Sequence, residues 1–163
     1  MSVYSDLITA VKVRVDTVSN VGTTHAYQRY NANWSDHLDQ FKATIGGVVQ
    51  IRGWIVTMDG GQPIVGMMTD SRFGAIRRTY NLVVIGILGL SDSTNTETTF
   101  LNLMEEVMNA LDGRDDLGVT GAEMYGSGPA SLKLYDIRQF GSVLCHYCEI
   151  SLPVETERAV AYA

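Results

Sequence analysis

Proline is scarce in this chain, three in 163 residues, and charge is sparse, with Asp, Glu, Lys and Arg together making up 18%. Disordered and fibrous chains show the reverse balance, so both classes are excluded. Long apolar runs are missing too: no stretch of eighteen apolar residues occurs, which removes the helical membrane span. The N-terminal "MSVYSDLITAVKVRVD" carries charge throughout its apolar stretch and lacks the uninterrupted core of a signal peptide. The expectation is a soluble protein made in a cytoplasm.

Basic residues are few. Twelve Lys and Arg stand against eighteen Asp and Glu, a formal charge of -6. A protein that holds DNA or RNA by its phosphates needs a net basic face to displace counterions, so that function is not expected.

The chain has two cysteines and three histidines. Cys145 and Cys148 lie in "LCHYCEISLPV". If that stretch is extended, an odd separation puts the two thiols on opposite faces, roughly 10 Å apart from three rises of about 3.3 Å. That separation exceeds what a disulfide spans. A redox C-x-x-C belongs at a helix N-terminus, and "EISLPV" does not read as helix. The reading is two packed thiols acting as small hydrophobes. His25, His37 and His146 are scattered, with no second ligand type at metal-binding spacing. "GSGPAS" (126–131) lacks the third glycine of a dinucleotide loop and precedes a strand-like segment, so it reads as a turn. No nucleophile elbow is present. Neither a catalytic residue, a metal ligand nor a cofactor is expected, and the chain is not expected to be an enzyme.

What is present is a solid apolar pattern, 45% of residues, enough for one domain with a real core. Residues 3–18 place Tyr4, Leu7, Ile8, Val11, Val15 and Val18 at helical spacing. A short helix is predicted over Asp36 to Thr44, capped by Ser35, with Leu38 and Phe41 inward and Gly46-Gly47 as its stop. The period then changes to two. "VVQIRGWIVTM" sets Val49, Ile51 and Ile55 on one face and Gln50, Arg52 and Trp54 on the other, and "DGGQP" supplies a reversal.

A second strand is predicted over 75–90. Its later half, with Val83, Ile85 and Ile87 opposing Leu82, Val84 and Leu88, must be covered on both sides, by helices or by a neighbouring subunit. Thr94 and Glu97 fit a capping box, followed by an apolar stripe of Phe100, Leu103, Met104, Val107 and Leu111, with Gly113 placed to end the helix. Two further strands are predicted around 131–138 and 142–154. The domain is taken as 1–154, and 155–163 as a C-terminal tail, mobile or partner-bound.

Arg72, Arg77 and Arg78 form the densest basic cluster, with Arg52 placed near them if the two strands pair. Two readings stand: charge that guards a strand edge, or an interface for an acidic partner.

This order of elements, helix, "THAYQRY", strand "VVQIRGWIVT", strand "RRTYNLVVIGI", capped helix "TFLNLMEEVMNAL" and closing strands ending "CHYCEISLPV", resembles the tail terminator (tail completion) proteins of long-tailed bacteriophages. The resemblance covers nearly the whole chain and rests on element order and apolar pattern. It implies an α+β fold, an antiparallel or mixed sheet with two main helices packed against it, and a hexameric ring. Such a ring caps the tail tube, ends its polymerisation and meets the head connector, and DNA passes through without specific binding. It further implies no cofactor, no turnover and a place at the tail–neck junction of the virion, after synthesis in the host bacterial cytoplasm. The alternatives are a tail-tube subunit or neck adaptor, and, from another class, a small-molecule-binding or enzymatic α+β domain.

Overall fold

The computed structural model describes residues 3–29, 33–60, 65–70, 75–112, 117, 119 and 123–159. They form one α+β domain, a mixed sheet with three helices. In chain order the elements are α1 (Val3–Asp16), β1 (Thr23–His25), α2 (Trp34–Asp39), β2 (Lys42–Ile45), β3 (Val48–Met58), β4 (Val65–Asp70), β5 (Ala75–Gly89), a 3-10 turn (Asp92–Thr94), α3 (Thr96–Leu111), β6 (Glu123–Ser127), β7 (Ser131–Phe140) and β8 (Val143–Ala159).

Two long strands organise the sheet. β5 and β8 pair antiparallel from Gly89↔Cys145 to Ala75↔Ala159. On its other edge β5 meets β3 along residues 82–88 and β4 along 75–79. The outer edge of β8 meets β7 along 143–151 and β6 along 154–157. β3 in turn carries β1, in parallel, and β2, antiparallel.

The period-two pattern explains how this sheet fills. Across β3, β5 and β8, even-numbered residues face even and odd face odd, as in Val56↔Val84 and Val84↔Ile150. The even face, with Trp54, Val56, Leu82, Val84, Leu88, Cys148, Ile150 and Leu152, packs on Leu7, Val11 and Val15 of α1 and Phe100, Leu103, Val107 and Leu111 of α3. The odd face, with Ile55, Val83, Ile85, Ile87, Cys145 and Tyr147, packs on Leu38 and Phe41. Each fully buried side chain of this size contributes about 1.5–3 kcal/mol. The two-sided demand of residues 82–88 is therefore met within the chain.

At one place the even face has a gap filled from a neighbouring strand. Trp54, Gly86 and Cys148 stand in one row across β3, β5 and β8. A Cβ on Gly86 would sit 2.6 Å from Trp54 Cζ3 and 2.8 Å from Cys148 Sγ. The indole lies in the space that glycine leaves, donates its Nε1–H to Val21 O at 3.0 Å, and stacks on Phe100 with centroids 6.0 Å apart.

Four local expectations are corrected. The short helix runs only from Trp34 to Asp39, with Asn33 as the N-cap whose side chain accepts from the Ser35 N–H; Ser35 lies inside the helix. Residues 42–45 form β2 instead, and Gly46 and Gly47, at φ +58° and +81°, make the two-residue hairpin turn into β3. Leu38 and Phe41 are nonetheless buried. Thr94 closes the 3-10 turn, and α3 starts behind Asn95, a left-handed residue that makes no side-chain cap bond, so the Thr94–Glu97 box does not form. Finally, β8 continues through 155–159, so the break set at 154 falls inside a strand. Gly113 and residues 160–163 lie outside the described residues.

Candidate functional site

The arginines separate. Arg72 lies outside the described residues. Arg77 and Arg78 sit in register with Glu157 and Thr156 on β8, and Arg77 donates from Nη2 to Glu157 Oε2 at 3.2 Å. Arg78 is exposed. Arg52 is not near them: it pairs with Leu88, about 35 Å along β5 from Arg77 at roughly 3.3 Å per residue. The reason is register, since β3 meets the far half of β5 and β4 takes the near half.

The thiols lie where alternation put them. Cys145 is buried in the odd-face cluster, Cys148 in the even-face cluster, and both are free. Burial pushes the Cys145 thiol up to about 11 and the Cys148 thiol up to about 12, so neither is an activated nucleophile. His146, between them, faces the helical layer. Its Nε2 meets Thr96 Oγ1 at 3.1 Å, its Nδ1 meets the Tyr135 hydroxyl at 3.2 Å, and its ring stacks on Phe100. Burial lowers its pKa, against Glu97 and Asp92, which raise it. His37 stacks on Phe140, and burial lowers its pKa as well. Among the described residues no group of three His, Cys, Asp or Glu side chains stands close enough to hold a metal ion.

Three surface features lie outside this interior chemistry. A charged network crosses the odd face: Lys133 Nζ reaches the buried Asp59 at 2.8 Å and Glu149 at 3.9 Å, the Tyr147 hydroxyl donates to Glu149 Oε1 at 2.7 Å, and the Arg138 guanidinium lies 3.7 Å over the Tyr147 ring. Apolar side chains stand exposed at the β2–β3 hairpin, where Val48 and Val49 are each 63% accessible, and along β7 at Leu132 and Ile137. The third feature is a cavity of about 430 Å³ between β2–β3 and the start of α3, lined by Ile45, Val48, Gln50, Arg52, Gly89 and, from the 3-10 turn and α3, by Ser91, Thr94, Thr96 and Thr99.

Arg52 is the residue that sequence reasoning placed wrongly. Its signal was visible: a lone cation on the same strand face as Trp54, between apolar neighbours. What hid the site is that the turn and helix opposite it come from residues 91–99, forty positions further along.

No protein-family model matches the sequence, and no curated protein matches it. Among the described residues no helix is long and apolar enough to cross a membrane.

Proposed function

We propose that the protein is a structural component of a phage virion, a tail terminator that closes into a ring on the end of the tail tube. The observation that carries this reading is the far half of the central sheet. Past Tyr80 and Val154, β5 and β8 run on together, flanked by the short β4 and β6, and none of their described side chains there belongs to either apolar cluster. This end of the sheet buries Thr156 but presents charge at Arg77, Arg78, Glu155 and Glu157, with Arg78 and Glu155 exposed, a surface suited to a neighbouring subunit. The exposed apolar tip at Val48 and Val49 offers a second contact at the opposite end.

Capping follows from geometry. Tube subunits add through a repeating head-to-tail contact, and a ring that matches one end and offers a different second face stops the series. With six or so copies of a chain of charge -6, a predominantly acidic channel lets DNA pass without adhering, because it gives phosphates no cation to displace counterions. No turnover and no cofactor enter this role. The two main helices serve it by backing the sheet from the face away from α2.

Solution mass measurement with negative-stain imaging, with and without tube protein, tests the reading. Closed rings that bind tube ends are expected. Long filaments of the purified chain would identify a tube subunit instead, and a monomer indifferent to tube protein would refute the assembly role.

A further inference from the structure

We propose that the cavity at Arg52 is a binding site for a carboxylate carried on a short aliphatic stem. This inference is independent of the tail-capping reading.

Arg52 is 7% exposed, and among the described residues no carboxylate pairs with it. Its Nη1 donates to Asn20 O at 2.9 Å and its Nη2 to Gln50 Oε1 at 3.1 Å, both neutral acceptors. Its buried Nε–H has no acceptor among the described residues. A buried cation without a counter-charge is costly, and desolvation accordingly lowers its pKa with no carboxylate to oppose it. Nε and Nη2 share one edge of the guanidinium. That edge presents two parallel N–H groups, the arrangement that grips both oxygens of a carboxylate. Here Nη2 meets a single amide oxygen, Gln50 Oε1, and Nε is closed to solvent, so a carboxylate reaches this edge only by displacing the Gln50 side chain, which itself lines the cavity.

The rest of the lining selects among anions. The first turn of α3, which has no side-chain cap, borders the cavity through Thr96 and Thr99, so the positive end of a sixteen-residue helix adds to the field of Arg52. The threonine hydroxyls are engaged locally: Thr94 and Thr96 donate to Ser91 O, and Thr99 to Asn95 O. They leave the Arg52 edge as the main donor, two N–H groups for two oxygens, which suits a carboxylate better than a phosphate. Asp92, in the 3-10 turn, and Glu97, in the first turn of α3, are exposed and do not line the cavity; their charge works against a multiply charged anion. Ile45, Val48 and Gly89 form an apolar wall, along which a few methylene groups would lie.

The test is an NMR titration of the full ¹⁵N-labelled chain, following the Arg52 Nε–H and the Thr96 and Thr99 amides. Butyrate, acetate, inorganic phosphate and chloride are added at matched ionic strength. Saturable shifts are expected with butyrate, weaker binding with acetate, and none with chloride. Arg52→Lys keeps the charge but loses the two-pronged edge, and is expected to weaken butyrate binding by about tenfold or more. Because Arg52 also holds Asn20, a second variant guards against misfolding: Val48→Glu, at an exposed rim position, should leave the spectrum native while abolishing the response. Absence of a saturable butyrate shift, equal shifts with chloride, or wild-type affinity in both variants overturns the proposal. If the same signals move when the wild-type chain is simply concentrated, the carboxylate comes from a second copy; if only butyrate moves them, it comes from a separate ligand.

Discussion

Cys148 shows how much a single position reports about its surroundings. In an unfolded chain a thiol titrates near 8.5, whereas burial pushes Cys148 up to about 12 and Cys145 up to about 11. Above the unfolded value the unfolded chain loses thiol protons that the folded chain keeps, so stability falls as pH rises. The contribution is intact below about pH 8.5 and is lost progressively toward pH 11 and 12. Urea midpoints are therefore expected to decline from pH 9 upward, and more gently in Cys148→Ala than in the wild type; equal slopes would show that the thiol titrates freely. The adjoining Gly86 gives a second expectation at this scale. Gly86→Ala places a methyl against Trp54 and Cys148, and overpacking of this kind costs about 1–3 kcal/mol. Denaturant unfolding measures it. That the two thiols face opposite ways was legible from their odd spacing alone; that glycine separates Cys148 from Trp54 was not, because it depends on which strands are neighbours.

Among the elements, α3 was the most legible. Its five stripe residues are all buried, because helical spacing marks a face whatever the partner is. Val107→Asp puts an unpaired carboxylate at the centre of that face and is expected to cost more than about 4 kcal/mol, enough to unfold a marginal domain. A circular-dichroism melt of native height and midpoint would contradict the packing described. The α2–β2 region shows the opposite case. Leu38 and Phe41 are three apart and both buried, which reads as one helix through Thr44. Hairpin pairing of 42–45 with 48–51 overrides that local signal, and Gly46-Gly47 serves as its turn. A six-residue helix has too few hydrogen bonds to extend itself against a competing strand.

At the scale of the molecule, assembly through the charged end of β5 and β8 makes Arg78 the informative position, since it is exposed while Arg77 is already paired with Glu157. Arg78→Glu is expected to leave folding stability within about 0.5 kcal/mol of wild type and to shift sedimentation mass from ring to monomer. A ring unaffected by this reversal of charge would move the interface elsewhere, to β7 or to the Val48–Val49 tip.

The sequence by itself determined the presence of both helices and strands, their inward faces, the two-sided burial of residues 82–88 and the separation of the thiols. All of these follow from the direction of side chains along one element, a local property repeating every two or 3.6 residues. The tertiary structure alone decided which strands adjoin. It set Arg52 beside Leu88 rather than Arg77, carried β8 on to Ala159, and closed a cavity between a hairpin at 45–52 and a helix end at 91–99. Strand partners and cavities depend on contacts between distant segments, and no periodicity within a segment encodes them.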